Sequence, residues 1–384
     1  MKVLMIMHDD DTYGAPKSML KLAELLQKKY HVHPIIITPK ANKVNTTCDD
    51  LQIENYAIRN WRYYVNRNRY FFEPFVNFVL NKYFDLTFYK KIAKEVDFST
   101  VDLIHSAVSV VSHGHELSKK YHIPHIWHLR ELDPYQYYFT KEQIREMSEN
   151  TAKFIAISEV VKQYWSELGI DPQKITTIYN GIDSQNIIPK KRYADDGILK
   201  IVLTGRINPG KQIDIVIKAI SLLEEEVRQY IHLDIYGTAT KMYQGYYEAL
   251  LVSIDRLSLN SVITFKGFAS NVPEVLQKYD VAIMSSKAEA FGRTTVEYMF
   301  AGLAVVASNS GANQELISDK VDGLFYQNDD SRELASKIAF LYKNRAEIQS
   351  LGEQAKLTAE KKFTADKNAK NVFRLYEEVV LNND

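Results

Sequence analysis

The chain has 384 residues, enough for two or three domains at roughly 150 residues each. Forty-eight Lys and Arg balance 48 Asp and Glu, which argues against a nucleic-acid binder with a basic surface throughout. Hydrophobic residues at 46% and charged residues at 25% exclude wholesale disorder, and the single cysteine, Cys48, excludes a disulfide framework or a cysteine-built zinc site. The opening apolar run ends at Met7 in three acidic residues, Asp9, Asp10 and Asp11, so it does not read as a signal peptide. The longest nearly apolar stretch, Tyr298–Ala307, is about half a membrane span. A cytoplasmic location, soluble or peripherally attached to the inner face of the plasma membrane, is expected.

In chain order, Val3–Met7 is an apolar run, His8–Gly14 is polar, Ser18–Tyr30 places Met19, Leu22, Ala23 and Leu26 on one helical face, and Val32–Thr38 is apolar again. That is a βαβ unit, and it implies a parallel sheet. Val101–His105, His125–Leu129, Phe154–Ile157 and Ile175–Tyr179 continue the strands. After the polar stretch Ile188–Gly197 a second series begins. Its strands are expected at Leu199–Thr204, His232–Tyr236, Val262–Phe265, Val281–Met284 and Ala304–Ala307. Its helices are expected at Ile213–Glu226, Tyr243–Leu257, Pro273–Lys278 and Thr294–Ala301, followed by Ser331–Lys343 and a helical pattern from Arg345 to Leu381. The reading is α/β, with two Rossmann-like doubly wound domains, 1–188 and 189–364, and a terminal helix, 365–384. Ligands of such sheets sit outside the carboxyl ends of the strands, which suggests a cleft between the two domains.

One segment interrupts the first domain. Tyr56–Glu95 holds 13 of the chain's 45 aromatics, with eight Arg and Lys against three acids. Such a mixture suits an interfacial surface near anionic headgroups, or else a helical excursion packed on its own domain.

Two segments can carry chemistry. In Gly205-Arg206-Ile207-Asn208-Pro209-Gly210-Lys211 a strand ends in a glycine turn, and two cations follow at a helix start. A helix start carries roughly half a positive charge, so the group suits a diphosphate, although a solvated cap would have the same composition. Gln212 follows Lys211 where a Walker loop needs Ser or Thr. The second segment, Ser285–Glu297, puts Glu289 on a loop and Glu297 on the following helix, with Phe291-Gly292 between them and Arg293 and Thr294 at the helix start. Two carboxylates flanking a polar helix start can accept from the hydroxyls of a sugar-like ligand.

Glu289-x7-Glu297 with Phe291-Gly292 inside, preceded by Gly205-Arg206 and Lys211, resembles the donor site of glycosyltransferase family 4, retaining enzymes of the GT-B fold. Phe154–Ser158, Asn180-Gly181-Ile182-Asp183, Gly302–Ala307 and Asp322-Gly323-Leu324 resemble neighbouring family segments. The resemblance implies a metal-independent hexosyltransferase that needs no cofactor and uses a nucleotide-sugar donor, UDP-linked or else GDP-mannose. It implies facing domains and a last helix that returns to the first. It assigns Arg206 and Lys211 to the diphosphate and Glu297 to the ribose. Glu289, with the backbone at Phe291, Gly292, Arg293 and Thr294, is assigned to the transferred sugar. Gly14 is assigned to close approach of the first domain, and His128 to the reacting carbon. The acceptor implied is a lipid-linked or growing cell-surface glycan. Gly14-Ala15-Pro16 replaces the commoner Gly-Gly, and Ala290 follows Glu289 where Gly is commoner.

Two further groups read as structural. His113-x-His115 has metal-chelating composition, but the segment reads as loop to helix and no carboxylate sits at ligand spacing. Asp9–Asp11 reads as a polar loop rather than a metal site. The alternatives to a transferase are a nucleotide-sugar epimerase and a non-catalytic subunit on the same scaffold.

Overall fold

The computed structural model describes residues 1–8, 14–59, 87–132, 139–187, 189 and 197–382. The chain folds as two units, Met1–Gly181 with Ala365–Asp384, and Ile182–Thr364.

The first unit is a seven-stranded parallel sheet in the order β3-β2-β1-β4-β5-β6-β7. Its strands are β1 (Lys2–Ile6), β2 (His33–Thr38), β3 (Glu54–Ala57), β4 (Leu103–Ser106), β5 (His125–Leu129), β6 (Lys153–Ala156) and β7 (Ile175–Thr177). Strand alternation divides β1 between two cores. Val3 and Met5 face Met19, Leu22, Ala23 and Leu26 of helix Ala15–Tyr30, whereas Leu4 and Ile6 face Phe88, Ile92, Val108 and Leu117. The last helix, Ala365–Leu381, belongs to this unit, as expected. It buries Ala369, Val372, Leu375, Tyr376 and Val379, a helical stripe, against helix Ala15–Tyr30.

The second unit is a six-stranded parallel sheet in the order β10-β9-β8-β11-β12-β13. Its strands are β8 (Leu199–Thr204), β9 (Ile231–Tyr236), β10 (Ile263–Gly267), β11 (Val281–Met284), β12 (Ala304–Ser308) and β13 (Leu324–Tyr326). Helices Ile213–Ser221, Gln244–Arg256 and Ser331–Lys343 bury their apolar faces in its main core.

Three expectations need correction. The division falls at Gly181/Ile182 rather than after residue 188, because Ile182 donates its N–H to the Phe363 carbonyl and pairs with Thr364, which fixes it to the second unit. The pattern read as one helix over 213–226 is two helices, Ile213–Ser221 and Glu225–Arg228, with a turn between. The helical pattern from Arg345 to Leu381 forms two helices, Arg345–Lys362 and Ala365–Leu381, the second starting where the terminal helix 365–384 was read. Strands β3 and β13 lack an apolar run long enough to be read; β3 (ENYA) lies at a sheet edge with no buried side chain.

The segment 60–86 of the aromatic stretch, and Asp9–Asp11, lie outside the described residues. The described ends of Tyr56–Glu95 pack on the first sheet: Ile58, Phe88 and Ile92 are in its core, while Lys90, Lys91 and Lys94 are exposed.

Candidate active site

In the second unit β8 is flanked by β9 and β11, so the order of strands reverses there. Loops at the carboxyl ends of strands at such a switch point are the usual ligand site of an open parallel sheet. The two loops that leave β8 and β11 carry the residues singled out above, and they are tied together. Lys287 N–H donates to the Gly210 carbonyl at 2.9 Å, and Ser285 Oγ donates to the Lys211 carbonyl at 2.6 Å. Tyr298 is buried in the helix that follows the second loop, and its hydroxyl accepts from the Thr204 N–H at 2.6 Å, at the end of β8.

Glycines set the loop shapes. Gly205 leaves β8 at φ +153°, and Gly237, at φ +152°, lies so close that a Cβ there would stand 1.8 Å from the Gly205 carbonyl oxygen. Gly292 caps helix Arg293–Phe300 in the left-handed region, φ +79°. The helix start presents backbone N–H groups and a partial positive charge.

The charged side chains gather around this point. Lys211 Nζ contacts Glu289 Oε1 at 2.5 Å, with side chains 24% and 18% exposed, which leaves both reachable by a ligand. Arg293 Nε donates to Glu297 Oε1 at 3.0 Å, one turn apart on the helix. Arg206 is exposed, Thr294 is half-buried, and Phe291 is buried with its ring edge-on to Phe363. One loop cluster of the second unit therefore brings together Gly205, Arg206, Lys211, Glu289, Phe291, Gly292, Arg293, Thr294 and Glu297.

Gly14 and His128 lie in the first unit. Gly14 is exposed at φ +62° and caps helix Ala15–Tyr30. His128 is on β5, only 1% exposed, with Nδ1 at 3.2 Å from His105 Nε2 and 3.3 Å from the Arg130 guanidinium. Burial, then Arg130, then His105 hold its pKa well below the ordinary histidine value.

Sequence reasoning missed several residues. Gly311, at φ +54°, would place a Cβ 2.6 Å from both N and O of Glu289, and the neighbouring Ala312 N–H donates to the Glu289 carbonyl at 2.9 Å. Gly237 plays the same part beneath Gly205. Arg130 and Glu131 follow β5 and are half-buried; Glu131 accepts from Ser109 Oγ at 2.7 Å, and desolvation raises its pKa despite that bond. A glycine directly after a strand, as at 237, is the one sequence signal available for any of these.

The histidine pair also needs correction, because carboxylates do lie near it. His115, Glu116 and Glu146 bring one ligand atom each within 4.8 Å of one another. Glu146 comes from a separate helix, which spacing along the chain cannot reveal. Lys119 Nζ sits 2.6 Å from Glu146 Oε1, so a cation already neutralises that carboxylate.

Two family models match the chain: Glycosyltransferase Family 4 over residues 13–186 and Glycosyl transferases group 1 over residues 184–358. An uncharacterised glycosyltransferase of Methanocaldococcus jannaschii is 27% identical over 315 residues, covering 79% of this chain and 81% of that protein. The chain is a glycosyltransferase. A second relative, 25% identical over 241 residues, is the N,N'-diacetylbacillosaminyl-diphospho-undecaprenol alpha-1,3-N-acetylgalactosaminyltransferase of Campylobacter jejuni; the match covers 60% of this chain and 61% of that one. Among solved structures, Anabaena HepE in complex with UDP is similar to this glycosyltransferase with a TM-score of 0.80 at 19% identity, over 98% of this chain and 100% of that one. With its two Rossmann-like parallel sheets, the glycosyltransferase has the GT-B fold. No helix among its described residues is long and apolar enough to cross a membrane.

Proposed function

We propose that this glycosyltransferase is a retaining enzyme of family 4 that moves a sugar from a UDP-sugar to an acceptor hydroxyl on a lipid-linked or growing cell-surface glycan. The observation that carries the site assignment is the meeting of Lys211, Glu289 and the start of helix Arg293–Phe300 at the sheet's switch point. Arg206 and Lys211 bind the diphosphate, Glu297 accepts from the ribose hydroxyls, and Glu289 with the Phe291–Thr294 backbone holds the sugar. UDP in the HepE complex supports the choice of base, with GDP-mannose as the alternative. A relative that acts on a diphospho-undecaprenol supports a lipid-linked acceptor.

The acceptor oxygen forms a bond to the anomeric carbon as the carbon–oxygen bond to the diphosphate breaks. Negative charge then grows on the departing phosphate. Fixed positive groups placed where that charge forms lower the barrier without having to reorganise. Arg206, Lys211 and the helix start supply such groups from the chain itself, which supports a metal-independent reaction needing no cofactor. The Lys211–Glu289 pair adds a link: the ammonium has three donors, so it can hold phosphate and the sugar-binding carboxylate together. The leaving phosphate takes the acceptor proton. Gly14 serves the phosphates or the acceptor, and His128 serves the reacting carbon. The basic, aromatic stretch 56–95 is proposed to meet anionic lipid at the inner face of the plasma membrane.

A screen of nucleotide release with UDP-sugars and GDP-sugars in parallel tests the reading. Turnover of a UDP-sugar with retention at the anomeric carbon, read by NMR of the product, is expected. An inverted product removes the retaining assignment, and turnover confined to GDP-sugars removes the UDP assignment.

A further inference from the structure

Four polar side chains of the first unit, three of them buried and Arg130 half-buried, form a network that ends on His128. Tyr376, from helix Ala365–Leu381, places its hydroxyl 2.5 Å from His105 Nδ1, and His105 Nε2 lies 3.2 Å from His128 Nδ1. An Arg130 guanidinium nitrogen lies 3.3 Å from the same Nδ1 atom. Arg130 is itself held by Asn180 Oδ1 at 2.8 Å and the Ala107 carbonyl at 3.0 Å. His128 Nε2 is buried and has no hydrogen-bond partner among the described residues.

The protons of this network follow from donor chemistry. A guanidinium donates only, so the His128 atom facing it must present a lone pair. A proton on Nδ1 would set two N–H groups against each other at that contact. His128 therefore carries its proton on Nε2. His105 Nε2 faces the same lone pair, so it too is the donor, and its Nδ1 is left as an acceptor for the Tyr376 hydroxyl. Burial and Arg130 push the His105 pKa down to about 3, consistent with a neutral ring that has one proton to place. Every partner is then matched except the Nε2–H of His128. A buried donor without a partner is costly, and a ligand acceptor is the simplest reason to keep one.

We infer that Arg130 from the end of β5, and Tyr376 acting through His105 from the C-terminal helix, converge on Nδ1 of His128 and fix it as a neutral hydrogen-bond donor through Nε2, committed to the substrate. Tyr376, His105 and Arg130 are positioning residues. The last helix thus does more than cover the apolar face of the first sheet: it sets which ring nitrogen of His128 meets the sugar. This rests on the placement of His128 at the reacting carbon proposed above.

The test has two arms. In the first, histidine 15N shifts of the wild-type protein at neutral pH are recorded, with the His128 signal assigned by its loss in His128→Gln. Protonated Nε2 and bare Nδ1 are expected; a His128 with its proton on Nδ1, or a mixture of the two forms, overturns the inference whatever the enzyme transfers. In the second arm, His105→Leu is expected to lower kcat by about tenfold, the equivalent of one hydrogen bond, with the donor KM within about twofold. His105→Gln keeps a donor toward His128 and an acceptor toward Tyr376, and it should recover most of that loss; Tyr376→Phe should fall between the two. Equal rates for the Leu and Gln variants overturn the positioning role. If His128→Ala itself transfers at the wild-type rate, the proposed place of His128 in the reaction fails, while the first arm still decides the tautomer.

Discussion

Gly311→Ala tests the site without touching any side chain proposed to meet the donor. The added Cβ would stand 2.6 Å from both N and O of Glu289, where ordinary contact begins at 3.4 Å. Either the Glu289 backbone or the 309–312 turn must therefore move by about 0.8 Å. Alanine at φ +54° adds about 1–2 kcal/mol of backbone cost. Lys320 and Asp329 of the same unit hold φ near +63°, so the conformation is tolerated and the variant should fold. At about 2–4 °C per kcal/mol for a unit of this size, the unfolding midpoint should fall by about 2–8 °C. A displacement near 1 Å at a positioning group can cost about a hundredfold in rate, so kcat should fall between tenfold and that limit. Arg206 and Glu297 are not displaced directly, so UDP affinity by calorimetry should stay within about threefold. Gly245→Ala is the control: no atom lies within 4 Å of its added Cβ, and the position is helical and exposed. A folded Gly311→Ala enzyme with wild-type kcat would refute the claim that the position of Glu289 matters to transfer.

The remaining predictions concern charge. Arg206→Ala and Lys211→Ala should each lose about a hundred- to a thousandfold of transfer while staying folded by circular dichroism; near wild-type rates in both would remove the diphosphate assignment. Glu297→Ala should weaken UDP binding by about tenfold in calorimetry, since a carboxylate bonded to hydroxyls contributes about that much, and an unchanged affinity rejects the ribose role. The protein should co-sediment with anionic vesicles and be released by salt, and an absence of salt-sensitive binding leaves 56–95 as packing alone. Finally, His105, His125 and His128 are buried with depressed pKa values, chiefly through burial. The unfolded chain binds their protons first, so stability is full above about pH 6.5 and declines as pH falls through that value toward the folded pKa, about 3 for His105. Each should cost about 1 kcal/mol between pH 7 and pH 5.5. Trp127 and Trp165, two of the chain's three tryptophans, are buried in the first unit, so fluorescence in denaturant reads this directly. A midpoint that does not move over that range would contradict the neutral buried rings.

The fold was legible because most strands here are buried on both faces. Val281–Met284 and Leu199–Thr204 are apolar runs bounded by Gly, Ser or Asp, and the structure places both as read. Strand β3 was not legible, since Glu54-Asn55-Tyr56-Ala57 sits at a sheet edge and needs no apolar side chain. The division at Gly181/Ile182 was hidden for a different reason. Asn180-Gly181-Ile182-Asp183 shows no break in composition, and only tertiary attachment, with Ile182 bonded to the Phe363 carbonyl, says where the chain changes unit.

The candidate site divides along the same line. In the second unit, side chains that would touch a ligand stand in two short segments, 205–211 and 289–297, so their types and spacing were visible together. The residues that shape those segments are distant in sequence and chemically plain. Gly311 underlies Glu289 and Gly237 underlies Gly205, each by lacking a Cβ, and neither absence has a spacing rule. Buried histidines present the converse difficulty. His105 and His128 looked like two of a loose cluster of six, and nothing local predicts that the register of β4 and β5 sets their rings in contact or that Tyr376, 271 residues beyond His105, completes them. What a sequence conceals here is the positioning of the chemistry rather than the chemistry itself, because positioning is built from long-range contacts whose members need only fit.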